Sequence, residues 1–87
     1  MRKRDMATIR YKGFEISPST LQYIESGEWV LGVVITKHHD SRNETLEKPF
    51  TGKNTFKTKE EAERHSIEFG KEIIDGKHPE FTIKDLL

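Results

Sequence analysis

The sequence contains no cysteine, and only 32% of its 87 residues are hydrophobic. Without cysteine, the chain has no disulfide, thiolate nucleophile or cysteine metal ligand. No apolar run approaches the roughly 18 residues of a membrane span, and no signal-peptide hydrophobic region follows the basic N-terminus. We therefore expect a cytoplasmic protein.

An excess of one charge is also lacking, since 15 basic residues balance 15 acidic residues. A net charge of zero gives no overall field that would attract nucleic acid, an anionic membrane or an acidic substrate. Charge is uneven only at Arg2, Lys3 and Arg4. We interpret residues 1–6 as a disordered basic tail. A phosphate-contacting arm is the alternative interpretation of these three cations.

The length of the chain predicts a single domain over residues 1–87. A chain this short buries only about 60–65% of its unfolded surface, and its low apolar content predicts a thin core. One sheet with one helix lying on it satisfies this limit. Such a domain is marginal alone, and association with a copy or a partner is a common remedy.

The clearest pattern in the sequence is a set of matching pairs on either side of Lys12-Gly13. A chain reversal at this dipeptide pairs Tyr11 with Phe14, Arg10 with Glu15, Ile9 with Ile16 and Thr8 with Ser17. Such cross-strand pairs stabilise an antiparallel ladder by about 0.2–1 kcal/mol each. The pattern predicts a hairpin with a two-residue turn, in which lysine is less favoured than Asn, Asp or Gly at the first turn position.

Residues 28–37 form the strongest strand candidate because they are rich in β-branched side chains. Between Glu28 and Lys37, neither face of this strand carries a charge, which predicts a central strand covered at least partly on both sides. We interpret Trp29 as a core residue. A stacking platform for single-stranded nucleic acid is the alternative, and the nearby Glu25 and Glu28 disfavour it.

The following residues, 38–48, are polar, and we predict an exposed loop that leads into an edge strand. Leu46 and Phe50 share one face of that strand, and Pro49 favours an edge position because proline cannot donate to a ladder.

A helix is predicted over residues 58–75. Thr58 and Glu61 form a capping box, and the apolar stripe that follows has helical spacing. Gly76 suits the position after the helix, and Pro79 prevents its continuation. Residues 79–87 are too apolar for a free end, so we predict a C-terminal tail that docks on the domain.

The histidines do not form a familiar catalytic or metal-binding pattern. His38 and His39 are adjacent on a strand and point to opposite faces, so they cannot easily share a metal ion. His65 and His78 match no familiar ligand spacing. We expect a protein that is not an enzyme, with no cofactor, no metal site and no identifiable small-molecule ligand.

Four motifs carry a resemblance to known proteins. They are Tyr11-Lys12-Gly13-Phe14-Glu15-Ile16-Ser17-Pro18, Gly27-Glu28-Trp29, Phe56-x-Thr58-x-Glu60-Glu61-Ala62 and Ile73-Ile74-Asp75-Gly76. The chain resembles small uncharacterised bacterial proteins with a ββββα arrangement and, more loosely, the short HlyU-type family. The HlyU-type resemblance implies a label of transcriptional activation, and neither resemblance implies functional residues.

Together these patterns predict an α+β fold, an antiparallel three- or four-stranded meander with one helix in the C-terminal half packed on one face. The predicted core consists of Ile9, Tyr11, Phe14, Ile16, Trp29, Leu31, Val33, Ile35, Phe56, Ala62, Phe69 and Ile73.

The function predicted from these features is a non-enzymatic interaction module that self-associates through the second sheet face or a sheet edge. A homo-oligomer or a protein partner is expected, and a membrane is not. The candidate interaction surface consists of Val30, Val34, Phe81, Ile83, Leu86 and Leu87. The alternative is a small nucleic-acid-associated or transcription-related regulator that uses Arg2, Lys3 and Arg4.

Overall fold

The computed structural model describes residues 8–87, whose sheet is arranged around one central strand. The elements are β1 (Ile9–Tyr11), β2 (Phe14–Pro18), β3 (Leu21–Gln22), β4 (Trp29–His39), β5 (Glu44–Phe56) and α1 (Lys59–Ile74), with short 3₁₀ turns at Asp40–Arg42 and Lys84–Leu86. All strand pairs are antiparallel. The predicted α+β class, with one helix in the C-terminal half, is confirmed.

Strand β4 pairs with β2 and β3 along one side and with β5 along the other. Strand β1 lies outside β2. Because β2 and β3 pair with successive parts of β4, they occupy a single position in the sheet, interrupted after Pro18. The five strands therefore form a four-position meander.

The first hairpin has the predicted two-residue turn and the predicted register. Lys12 and Gly13 both have positive φ, at 51° and 87°, as a primed turn requires. The outermost predicted pair is also present, since Thr8 Oγ1 lies 2.9 Å from Ser17 Oγ. The cross-strand pairs visible in the sequence therefore predicted this hairpin correctly.

The loop predicted over residues 38–48 is wrong. Strand β4 continues to His39 and β5 begins at Glu44, so only the tight turn at Asp40–Arg42 separates them. Asn43 completes the turn with φ of 50°. The polar side chains belong to a two-stranded ribbon that extends beyond the core and whose backbone groups pair with each other. The edge position predicted from Pro49 is correct, because β5 pairs with β4 alone.

Helix α1 begins and ends as the sequence predicts. Thr58 Oγ1 accepts a hydrogen bond from the Glu61 backbone N–H at 3.1 Å. At the other end of the helix, Gly76 has a φ of 79°. The Gly76 N–H donates to the Ile73 carbonyl, and the Lys77 N–H donates to the Glu72 carbonyl. This pair of bonds satisfies carbonyls that the last turn would otherwise leave free.

The core lies between α1 and one face of the sheet. Its buried members are Phe14, Ile16, Leu31, Val33, Ile35, Phe50, Phe69, Ile73 and Leu86. Three predicted core residues, Ile9, Tyr11 and Phe56, are only partly buried against this cluster.

Trp29 is a half-buried residue outside the core cluster. It begins β4 opposite Phe56, at the end of the sheet where the chain enters α1. Lys59 Nζ lies 5.8 Å from the centre of its ring. Its position at the border of the helix layer explains the incomplete burial.

Two small residues of α1 determine how closely the helix approaches the sheet. A Cβ atom on Gly70 would lie 2.7 Å from Ile16 Cγ2, so only glycine fits without a shift. Ser66 is fully buried, and its Oγ accepts a hydrogen bond from Gly32 N–H at 3.1 Å. This bond lies where the β4–β5 ladder is irregular, between Val30 and Gly32. The serine therefore satisfies a backbone donor at the irregularity.

The C-terminal segment packs on the same side of the sheet as α1. The Phe81 ring lies edge-on to Phe50, with centroids 5.6 Å apart, and Leu86 is 2% exposed. Lys48 Nζ donates to Asp85 Oδ2 at 2.9 Å. The tail thus contributes to the protein's own core.

Candidate interaction surface

The structure does not bring together the six residues of the predicted interaction surface. Val30 and Val34 belong to the sheet face opposite α1, which we call the open face. The other four, Phe81, Ile83, Leu86 and Leu87, belong to the segment on the helix side. Phe81 and Ile83 pack against the core there, and Leu87 is 67% exposed. The tail therefore does not cover the two valines.

The register of the strands defines what lies on the open face. Ser17, Val34 and Pro49 form one row across the sheet, and Leu21, Val30 and Thr55 form another. The irregular part of β5 between Thr51 and Thr55 turns Lys53 toward the helix side of the sheet. We call the residues of these two rows the neutral band, together with Thr8, which lies beside Ser17, and with Gly32 and Thr51, which lie between the rows. It consists of Thr8, Ser17, Leu21, Val30, Gly32, Val34, Pro49, Thr51 and Thr55.

The neutral band contains no charged residue, although 34% of the whole chain is charged. The next row across the open face is charged, and it includes Arg10, Glu15 and Glu47. There Arg10 Nη2 lies 3.8 Å and His38 Nε2 lies 3.2 Å from the Glu15 carboxylate. A neutral area with a charged border resembles a protein interface, where charged residues are depleted at the centre and the rim is polar.

Exposed area in the neutral band comes mainly from the strands beside β4. Val30 is buried at 7% exposure and Val34 is half-buried, whereas Leu21 on β3 is 68% exposed. Thr51 and Thr55 on β5 are also exposed. The sequence pattern identified the centre of this face correctly but missed Leu21, because residues 21–24 show no strand period.

An exposed apolar loop follows β3 in the chain. Tyr23 is 56% exposed and Ile24 is 98% exposed. The loop is closed by backbone hydrogen bonds from Gly27 to Tyr23 and from Tyr23 to Glu28. Contiguous exposed apolar patches often mark interaction sites, so this loop is a second candidate contact surface.

The histidines make separate structural contacts. His39 Nε2 donates to the Leu86 carbonyl at 2.6 Å, and His78 Nε2 donates to Glu72 Oε1 at 2.8 Å. The His65 ring stacks on Phe56. Across residues 8–87, no three histidine, aspartate or glutamate side chains are grouped so that they could hold a metal ion.

Arg2, Lys3 and Arg4 lie outside the described residues. The neutral band itself contains no basic side chain. In the part of the chain that is described, no helix is long and apolar enough to cross a membrane.

Comparison of the chain with curated proteins and with solved structures finds no match in either set. A family model described as a domain of unknown function, DUF6566, matches residues 4–84. Since the match covers nearly the whole sequence, this chain belongs to the DUF6566 family.

Proposed function

We propose that this protein is a non-enzymatic interaction module that self-associates through the neutral band of its open face. The observation that carries the proposal is the absence of charge from this band in a chain that is otherwise one-third charged. Burial of a neutral face avoids the desolvation of unpaired charges, which is costly in an interface.

The open face has no second layer in residues 8–87, because α1 and the C-terminal segment both pack on the other face. The shortest principal extent of the structure is 18 Å. A packed layer adds about 10 Å to a sheet, so this thickness accommodates one helix layer and no more. A sheet face that lacks its own cover is available to a second copy.

A second copy suits this face for electrostatic reasons. The net charge of the chain is zero, so two copies do not repel each other. In a twofold pair the same patch meets itself, which places neutral band against neutral band. The bordering row contains both signs, Arg10 beside Glu15, and can therefore pair acid with base across the contact.

Association through the face is favoured over association through the β5 edge. Pro49 lies within β5 and cannot donate a backbone hydrogen bond to an added strand. The pairing of β5 with β4 is also irregular near Gly32, and such irregularities disfavour the regular pairing of an added strand.

Two leucines provide a matched test of the proposal. Leu21 in the neutral band is 68% exposed, and Leu87 on the C-terminal segment is 67% exposed. Leu21→Lys would place a charge in the proposed interface, whereas Leu87→Lys would place it outside. In light scattering at high micromolar concentration, we expect the unchanged protein and Leu87→Lys to show twice the chain mass. Leu21→Lys should show the mass of one chain.

A protein that remains monomeric throughout this concentration range would overturn the proposal. An assembly that Leu87→Lys disrupts and Leu21→Lys does not would assign self-association to the tail instead. The regulator alternative depends on Arg2, Lys3 and Arg4 and on the looser HlyU-type resemblance. No contact of the described residues favours it, so self-association is the function that we propose.

A further inference from the structure

A groove lies between α1, the second half of β5 and the segment after α1. Its volume is about 610 Å³, within the range of about 300–1,000 Å³ that is usual for ligand sites. It exists because α1 packs mainly on β4 and β2 and less on β5, which leaves residues 51–56 partly uncovered. The groove lies on the helix side of the sheet and is therefore separate from the neutral band.

Aromatic rings line both ends of this groove. At one end Phe56 stacks on His65, with ring centroids 4.6 Å apart and an angle of 11° between the planes. At the other end Phe69 meets Phe81 edge-on at 5.5 Å, and His78 lies 5.2 Å from Phe69. Aromatic faces carry partial negative charge and attract cations within about 6 Å.

Acidic side chains outnumber basic ones among the residues that line the groove. Its lining includes Glu68, Glu72 and Glu80 but only one lysine or arginine, Lys53, although the chain as a whole is neutral. Lys71 Nζ lies 3.5 Å from Glu68 Oε2, at the limit of a hydrogen bond, and 61% of the Glu68 side chain is exposed. These carboxylates therefore make the groove a site of negative potential.

One carboxylate is held against an aromatic end of the groove. His78 Nε2 donates to Glu72 Oε1 at 2.8 Å, which orients both side chains. A carboxylate has about four acceptor positions, so Glu72 can bind an additional cationic donor. Phe69 is itself buried, but the half-buried rings of Phe56 and Phe81 line the same groove, and with a positioned carboxylate they suit a planar cation.

We propose that the groove binds the arginine side chain of a basic peptide segment in a partner protein. A guanidinium group stacks on aromatic rings and donates two parallel hydrogen bonds to a carboxylate. Its three-carbon stem packs on apolar walls while the charged end meets the carboxylates. The groove supplies both kinds of contact.

The exposed apolar loop of a second copy fits this groove less well. Ile24 and Tyr23 could contact the aromatic rings, but Glu25 and Glu28 lie beside them in the sequence. Insertion of this loop would bring acidic side chains toward Glu68 and Glu72. Like charges oppose such a contact, so the groove favours a basic occupant.

The proposal is tested by an NMR titration of the isotopically labelled full chain with a short acetylated peptide that alternates glycine and arginine. The matched control peptide carries citrulline, the uncharged isostere, in place of arginine. We expect saturable shifts of the Phe56, Phe69 and Phe81 signals with the arginine peptide. Its affinity should exceed that of the citrulline peptide by about tenfold, as expected for loss of a charge-assisted contact.

Paired variants on α1 distinguish the groove from the rest of the helix. The double substitution Glu68→Gln with Glu72→Gln should weaken the binding of the arginine peptide by about fivefold or more. Glu60→Gln with Glu63→Gln removes two charges from the first turns, outside the groove, and should leave the affinity unchanged. The amide spectrum of each free variant checks that it is folded.

Three results would overturn the proposal. They are equal binding of the citrulline peptide, shifts that map away from the groove, and an affinity that the Glu68 and Glu72 substitutions do not change. Absence of any saturable shift would also overturn it. None of these results bears on self-association, which is measured by mass.

Discussion

The ammonium group of Lys12 lies 2.6 Å from Asp75 Oδ1 and joins the first hairpin to the C-terminal end of α1. The Tyr11 hydroxyl donates to the second oxygen of the same carboxylate at 2.8 Å. Lysine is an unusual residue for a turn position with φ of 51°. Its contact with Asp75 gives a physical reason for lysine at this position.

The first prediction concerns pH. The hydrogen bonds from Lys12 and then Tyr11 hold the pKa of Asp75 below its ordinary value of 3.8. A carboxyl group whose pKa is lower in the folded state stabilises the fold above the ordinary value, and this stabilisation is lost as pH falls through the lowered pKa. We expect the free energy of unfolding to decrease through this acidic range, and Asp75→Asn to remove part of the decrease.

Unfolding by urea at a series of acidic pH values measures this effect. Asp40→Asn, at an exposed aspartate in the turn after β4, provides the control and should leave the pH profile unchanged. The contact with Asp75 raises the pKa of Lys12 above its ordinary value of 10.5. The stabilisation that Lys12 provides is therefore complete below pH 10.5, and it is lost only as the pH rises through the raised pKa of Lys12. An acid profile that is the same in Asp75→Asn and the unchanged protein would contradict the prediction.

The second prediction concerns Gly70→Ala. Alanine favours the helix over glycine by about 1 kcal/mol. The added methyl group, however, would lie 2.7 Å from Ile16 Cγ2 and 3.2 Å from Val33 Cγ2. Overpacking of a core costs about 1–3 kcal/mol, so after the helix gain is subtracted we expect a net loss of up to about 2 kcal/mol in urea unfolding.

Gly76→Ala provides a comparison in which space is not limiting. A Cβ atom there would have no neighbour within 4 Å, but φ is 79°, so the cost is one of backbone conformation alone. An increase in stability for Gly70→Ala would show that the helix can move away from β2 at little cost.

The third prediction compares two adjacent leucines. Leu86 is 2% exposed and belongs to the core cluster, whereas Leu87 is 67% exposed. Leu86→Ala should destabilise the fold by about 2–5 kcal/mol, as is usual for a buried leucine. Leu87→Ala should change stability by less than about 0.5 kcal/mol, as at other surface positions.

Thermal and urea unfolding followed by circular dichroism measure both variants. Equal and small effects of the two substitutions would mean that the C-terminal segment is not part of the core in solution. The prediction is independent of self-association if it is measured at low protein concentration.

How much of the fold could be predicted depends on how far apart in the sequence the interacting residues are. The hairpin at Lys12-Gly13 and helix α1 followed from pairs and caps between residues close in sequence. The polar end of the β4–β5 ribbon, residues 38–48, did not, because these residues have little local preference for a strand. It forms because each of these strands supplies the hydrogen-bond partners of the other.

For the candidate surfaces too, features that depend on residues near in sequence were predicted, and features that depend on distant residues were not. Uncharged Val30 and Val34 could be assigned to the second sheet face from strand parity alone. Leu21, Thr51 and Thr55 joined them only through the register of β3 and β5 with β4. The groove had no signal in the sequence, because its residues come from a strand, a helix and a terminal segment that are distant in the chain.

The amino-acid sequence by itself determined the turn, the helix boundaries and the inward faces of β1, β2 and the apolar part of β4, since these depend on contacts between near neighbours. Tertiary structure decided which side of the sheet receives the C-terminal segment. Phe81 and Leu86 are apolar enough to cover either face, but only the space beside α1 lets them pack against Phe50 and Phe69. Within residues 8–87, that choice leaves the opposite face, with its neutral band, without a second layer.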